Sequence, residues 1–330
     1  MPAISPSQIC ESIIDACSLL GHSVVLTSNK RAHPRTFALA SPNGIESVWI
    51  YIWTVTHGGA TRDPNEYRIQ MTSVKPPLDL NPNGYTVLLG YNPELEVFAG
   101  FDLDHHKNFT VGSPSIQIGR DALVRSIQSG LAFDKKANGE IAIAIRPDHL
   151  FAYICNSSEM HRYGKNAHAM SALELASGSR PVPESNLEVL GKKRRKIIER
   201  VSRYSRDANF RNMVVTAYAN RCAVTRMQLN LVEAAHIVPV VVQGSADHVT
   251  NGMALSPTYH RAYDAGLIYL NTDYQMKINE KKLDVLKSSR LAGGIDRFAS
   301  CLGRIHLPPD EGQWPSVEFI SQANKHRSVN

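Results

Sequence analysis

The sequence predicts an α+β chain in two parts: a mostly antiparallel β domain with flanking helices, then a smaller mixed module. Three observations predict it. Short strand-like segments, rich in β-branched and aromatic residues or alternating apolar and polar side chains, recur through the first half. A Ser/Pro/Gly-rich break follows at 176–187. Nearly all the excess positive charge lies in the second half: residues 1–165 hold 14 basic and 15 acidic side chains and residues 166–330 hold 22 and 15, dividing the net +6 into −1 and +7. At 330 residues the chain is long enough for two domains. The charge asymmetry points to a polyanionic partner, with solubility as the bland alternative.

MPAISPSQICESIIDACSLL (1–20) has helical amphipathic spacing and carries acidic residues where a secretory signal carries basic ones. No apolar run reaches the roughly 18–20 residues needed to cross a bilayer, so a cytoplasmic protein without membrane contact is expected. Strand-like segments follow: SVWIYIWTVT (47–56), EYRIQMTSV (66–74), YTVLLGYN (85–92) and LEVFAGFDL (95–103). Residues 120–131 have helical spacing, EIAIAIRP (140–147) reads as a strand and HLFAYICN (149–156) as another. Five cysteines, scattered and odd in number, argue against a disulfide framework.

Residues 1–165 therefore form one expected domain, 166–207 a linker with a basic helix, and 208–330 a second domain. In GKKRRKIIERVSRYSRDANFR (191–211), nine basic residues stand against two acidic ones. Lys192, Lys193, Arg194, Arg195 and Lys196 are candidate phosphate contacts, with a merely solvated helix face as the alternative. In the first half, Trp49, Tyr51 and Trp53 alternate along one strand face, where core packing is the default and stacking on a nucleobase the sharper reading. Arg62 joins the candidate DNA contacts from the Gly-rich stretch after that strand. GFDLDHHKNF (100–109) gathers Asp102, Asp104, His105 and His106, yet reads as a solvated loop because no partner ligands stand at a matching spacing. Glu66 is followed by Arg68 rather than Lys, which disfavours a second nuclease motif there.

The chemistry concentrates between Phe210 and Asn279. FRNMVVTAYANRCAVT (210–225) reads as an amphipathic helix and a turn, and LVEAAHIVPV (231–240) as a strand carrying His236. A loop containing Asn251 leads to ALSPTYHRAYDAGL (254–267), where His260 and Asp264 share a helix face four residues apart. Phosphodiester hydrolysis needs a base able to deprotonate water near neutral pH, which suits histidine, and a cation to neutralise charge on the phosphate. This pattern supplies both.

AAHIVP, then Asn251-Gly252, then His260 nine residues after the Asn resemble the ββα-metal motif of HNH endonucleases, in the subgroup where a C-A-V-T turn precedes the strand. The match covers about residues 208–280. The resemblance implies hydrolysis of double-stranded DNA with Mg²⁺, Mn²⁺ or a similar ion. It makes His236 the general base and Asn251 the central Asn, and gives the metal His260 and Asp264. Two departures accompany it. Ala235 stands where many relatives place a further ligand, and Glu233, on the same strand face, is the candidate replacement; otherwise water completes the site. Of the positions where relatives carry zinc-binding cysteines only Cys222 remains, with Thr225, Ser256 and Tyr259 at the others, so structural zinc is not expected. By analogy of architecture the first domain reads a sequence or a modified base, 5-methylcytosine or 5-hydroxymethylcytosine. One such centre cuts one strand, so a homodimer is expected for double-strand cleavage. A DNA-binding module with a lost nuclease site and a nuclease toxin stand as alternatives.

Overall fold

A computed structural model describes residues 4–19, 22–41, 44–59, 61–110, 114–163, 166–229 and 231–329. Residues 1–3 and 20 of the expected first helix lie outside them. The chain divides into two compact units, Met1–Ala208 and Asn209–Asn330.

Unit 1 opens with α1 (Pro6–Ser18), started by a capping box between Ser5 and Gln8 and buried along Ile9, Ile13 and Cys17. Strands β1 (Val24–Leu26), β2 (Arg35–Ser41), β3 (Gly44–Thr54), β4 (Thr56–His57), β5 (Glu66–Gln70), β6 (Gly84–Asn92) and β7 (Val97–Phe101) follow. Next come α2 (Leu103–His106), β8 (Ser115–Gly119), α3 (Arg120–Ser129), β9 (Leu131–Lys135), β10 (Ile141–Ile145) and α4 (Leu150–Arg162). The unit closes with α5 (Ala167–Ser177), α6 (Glu184–Glu188) and the start of α7 (Lys192–Ala217). One sheet has the order β1-β2-β3-β6-β7-β10-β9, and a smaller one β4-β5-β8. Among the described residues every strand pairing of this unit is antiparallel except β3 with β6.

The period-2 pattern sorts side chains to the two faces of the large sheet. Val48, Ile50 and Ile52 of β3 join a core with Ile13, Tyr153, Leu173 and Ile198 from α1, α4, α5 and α7. Tyr51 and Trp53 point into a second core with Ile69, Ile118 and Leu123, from β5, β8 and α3.

Two expectations change here. HLFAYICN leads into α4 and is not a strand: its aromatic and β-branched residues mimic one, and the consecutive burial of Leu150, Phe151, Ala152, Tyr153 and Ile154 leaves no polar face to mark a helical period. Residues 166–207 are not a linker outside a domain that ends at 165. Ala169, Ala172, Leu173 and Ala176 of α5 and Ile197, Ile198 and Val201 of α7 are buried in the first core, so the compact unit runs on to Ala208.

Unit 2 contains the rest of α7, β11 (Glu233–His236), β12 (Gly252–Leu255), α8 (Pro257–Asp264), β13 (Ile268–Leu270), β14 (Gln275–Ile278), α9 (Glu280–Ser288), α10 (Ile295–Ala299), β15 (Gly303–Arg304) and α11 (Val317–His326). β11 and β12 form an antiparallel ribbon, and β13, β14 and β15 a separate sheet. Phe210, Val214 and Tyr218 of α7 pack with Ala235, Ile237, Met253, Leu255 and Tyr263 into one core. Among the described residues no helix is long and apolar enough to cross a membrane.

Candidate active site

The ribbon and α8 carry the site. In the β11–β12 register, Glu233 stands opposite Leu255 and His236 opposite Gly252. Pro257 in the first turn of α8 suits a helix start, where a missing N–H leaves no bond unmade.

The His236 ring is held from two directions. Its ring stacks on Phe210 at 3.7 Å between centroids with planes 13° apart, and its Nε2 lies 3.0 Å from Asp247 Oδ1. A carboxylate only accepts, so Nε2 carries the proton and Nδ1 keeps the lone pair. Asp247 was not among the residues expected from sequence. It lies in the loop joining the ribbon strands, and its only sequence signal is a carboxylate shortly before Asn251.

Asn251 is fully buried. Its Oδ1 accepts from Val238 N at 2.9 Å, while Nδ2 donates to Ala246 O at 2.9 Å and to Val238 O and Ser245 Oγ at 3.3 Å. Its backbone carbonyl also accepts from Ile237 N at 2.8 Å. One amide thus ties both roots of the loop beside His236, with no face left for a substrate.

His260 has a carboxylate at each nitrogen. Glu233 Oε2 is 2.7 Å from Nδ1 and Asp264 Oδ2 is 3.4 Å from Nε2. With Nδ1–H donating to Glu233, the Nε2 lone pair faces Asp264, two electron-rich atoms that a cation between them would reconcile. A shared ion at roughly 2.0–2.2 Å from each ligand holds neighbouring ligand atoms about 3–3.5 Å apart, so His260 Nε2 and Asp264 fit a divalent metal. Glu233 differs from its expected place as a ligand: it bonds the far nitrogen of the ring, the position from which a carboxylate orients a metal-binding imidazole. Among the described residues no hydrogen bond or ion pair joins His236 to His260 or Asp264; the structure gathers Glu233, His260 and Asp264 in one cluster and His236, Asp247 and Phe210 in another.

Positions 222, 225, 256 and 259, considered above for structural zinc, hold Cys, Thr, Ser and Tyr. Cys222 Sγ lies 3.8 Å from Ser256 Oγ. Burial pushes the Cys222 thiol up, and hydrogen bonds from Thr225 and nearby backbone outweigh it, for a net lowering. A lone thiol among hydroxyls does not match the thiolate and imidazole sets of structural zinc.

The candidate DNA contacts fare unevenly. Trp53 is 8% exposed and its ring is covered by His33, stacked at 4.6 Å, so it has no face for a base; Trp49 is only partly buried. Arg62 is 46% exposed and pairs with Glu66. In α7, Arg194 bonds Glu159 at 3.1 Å and lies over the Tyr163 ring, and Lys193 sits 3.4 Å from Glu159. Arg195 donates to Leu190 O, while Lys192 and Lys196 are exposed.

A two-stranded ribbon followed by a helix, with imidazoles on both, has the order of elements expected of a ββα nuclease domain. Residues 222–271 match the HNH endonuclease family, and residues 46–154 match the methylase-associated X1 family. The chain carries an HNH endonuclease domain and is a DNA-cleaving hydrolase, of a class that generally uses a divalent metal. Among solved structures it is similar to a modification-dependent TagI restriction endonuclease, with 10% identity over 86% of this chain and 81% of that one and a TM-score of 0.30. No curated protein sequence matches it.

Proposed function

We propose that the protein is a restriction-type endonuclease, acting in the cytoplasm, whose unit 1 reads a sequence or a modified base in double-stranded DNA and whose HNH domain cuts it. The observation that carries the reading is the paired arrangement within residues 222–271: a tautomer-fixed His236 on the strand, and His260 beside Asp264 on the helix. The methylase-associated family over 46–154 supports a partner domain that works alongside DNA modification.

In this reading His236 takes the proton from the attacking water through Nδ1, with Asp247 holding the other nitrogen and Phe210 the ring plane. Asn251 keeps the loop that carries Asp247 in register with the strand. His260 and Asp264 would hold the divalent ion, Mg²⁺ foremost and Mn²⁺ as a substitute, and Glu233 orients His260. The bound ion supplies charge neutralisation at the phosphate and the departing oxygen. Lys192 and Lys196 add salt-sensitive phosphate contacts. Two copies acting together would cut both strands.

The test is cleavage of matched unmodified, 5-methylcytosine and 5-hydroxymethylcytosine plasmids with Mg²⁺ or Mn²⁺. Wild type is expected to nick, with a preference among the three, and His236→Ala to lose about 100-fold or more in rate. If both proteins bind DNA and neither nicks any substrate, the chain is a binding module instead.

A further inference from the structure

We propose that His105, His106 and Glu140 form a second divalent-metal site, in unit 1, that takes a first-row transition ion of the zinc kind. The topology brings them together. β7 and β10 are antiparallel neighbours with Gly100 opposite Ile143, so position 140 comes level with position 103, where α2 begins. The turn before β10 is fixed: Lys136 N donates to Glu140 O and Gly139 N to Lys136 O, both at 2.9 Å, with Gly139 at φ +83°. Asn138 Oδ1 accepts from Glu140 N at 3.0 Å. On the other side Asp102 caps α2 by accepting from Asp104 N at 3.1 Å, and both histidines lie in its last turn.

The two imidazoles address different oxygens of one carboxylate. His106 Nε2 is 2.6 Å from Glu140 Oε1, and His105 Nε2 is 3.9 Å from Oε2. One ligand atom from each residue lies within 4.8 Å of the other two, and among the described residues no other set of three His, Cys, Asp or Glu does so. Tetrahedral ligands around zinc stand about 3.4 Å apart. The ion would displace the proton shared by His106 and Glu140 and open their 2.6 Å contact to that spacing, while His105, whose side chain is 56% exposed, closes from 3.9 Å; Glu140 at 8% and His106 at 17% exposure are held near their places by the surrounding chain. Lys136 Nζ lies 3.8 Å from Glu140 Oε1; an incoming cation replaces this ammonium, which swings into solvent. Two imidazoles and one carboxylate select zinc-like ions over Mg²⁺, whose preferred ligands are all oxygen. This set therefore differs in kind from the carboxylate-rich cluster around His260. Glu140 is 34 residues from His106, which is why the histidine pair looked partnerless in the sequence.

The test is calorimetric titration of tag-free, chelator-stripped full-length protein with Zn²⁺, made in a His260→Ala background so that the HNH cluster does not contribute. Co²⁺ serves as a second probe, read by its visible absorption. One Zn²⁺ equivalent is expected. Glu140→Gln should abolish it, and His105→Ala, an exposed position where folding is not at stake, should weaken it about tenfold or more. Absence of Zn²⁺ binding in the His260→Ala parent, or equal binding by parent, His105→Ala and Glu140→Gln, overturns the proposal. Plasmid cleavage by the His260-containing protein is scored separately, so a failed nuclease reading leaves this result standing.

Discussion

Replacing Gly252 by alanine drives a methyl group into Val214 Cγ2 and sets it 3.0 Å from Phe210 Cζ. Carbon atoms in contact prefer about 3.5–4.0 Å, so the Val214 and Phe210 side chains, or the ribbon and the helix segment bearing them, must shift. Overpacking of this kind costs about 1–3 kcal/mol. The displacement also reaches the chemistry, because His236 stands opposite Gly252 in the ladder and stacks on Phe210. Misplacing a reacting group by about 1 Å lowers the rate by roughly 100-fold. Thermal melts and initial nicking rates of wild type, Gly252→Ala, Val214→Ala and the double variant measure both effects. Removing Val214 Cγ2 relieves the worse contact, so the double variant should be more stable than the two single losses add up to, with part of the rate restored. If Gly252→Ala melts and cuts like wild type, the packing argument is wrong.

Asp247→Asn should lower the cleavage rate at least about tenfold and change the pH–rate profile, because an amide no longer fixes the His236 tautomer; unchanged DNA affinity separates this from a binding defect. Glu233→Gln should raise the Mg²⁺ concentration for half-maximal cutting about 10- to 100-fold, and an unchanged requirement would remove Glu233 from the metal's support. Burial foremost, then the Arg35 charge, depresses His33 to about 4. Its folded pKa lies below the unfolded value near 6.5, so stability is full above pH 6.5 and declines as pH falls towards 4, where the unfolded chain takes a proton that the native ring refuses, by at most about 3 kcal/mol. His33→Phe keeps a ring on Trp53 and should flatten the acid limb of melting temperature against pH; an identical limb would mean that His33 does not titrate as described.

The HNH motif was legible because its spacing is local: His236, Asn251, His260 and Asp264 fall within 29 consecutive residues, and the helical period puts His260 and Asp264 on one face, whereas the separate partners of His236 and His260 could not be read from spacing. What stayed hidden depends on contacts between distant segments. Phe210 reaches His236 only through the packing of α7, and Glu140 meets His106 only through the β7–β10 register. In unit 1 the strand around Tyr67 announced itself by alternation, and those around Trp49, Leu88 and Ile143 by short runs of β-branched, aromatic and other apolar residues between turn signals. The helix beginning at Leu150 did not, since a short apolar run buried on most sides has no clear period. The 176–187 break was read as a linker from composition, yet the helices on both sides of it anchor in the first core.

The Asn251 amide has an architectural consequence. By pinning the backbone at 238 and 246 it closes the loop at its base, leaving Val240 at 60% and Val241 at 94% exposure on a tethered excursion. Residues at that tip can be exchanged or lengthened while the anchor keeps the neighbouring imidazole on its bearing.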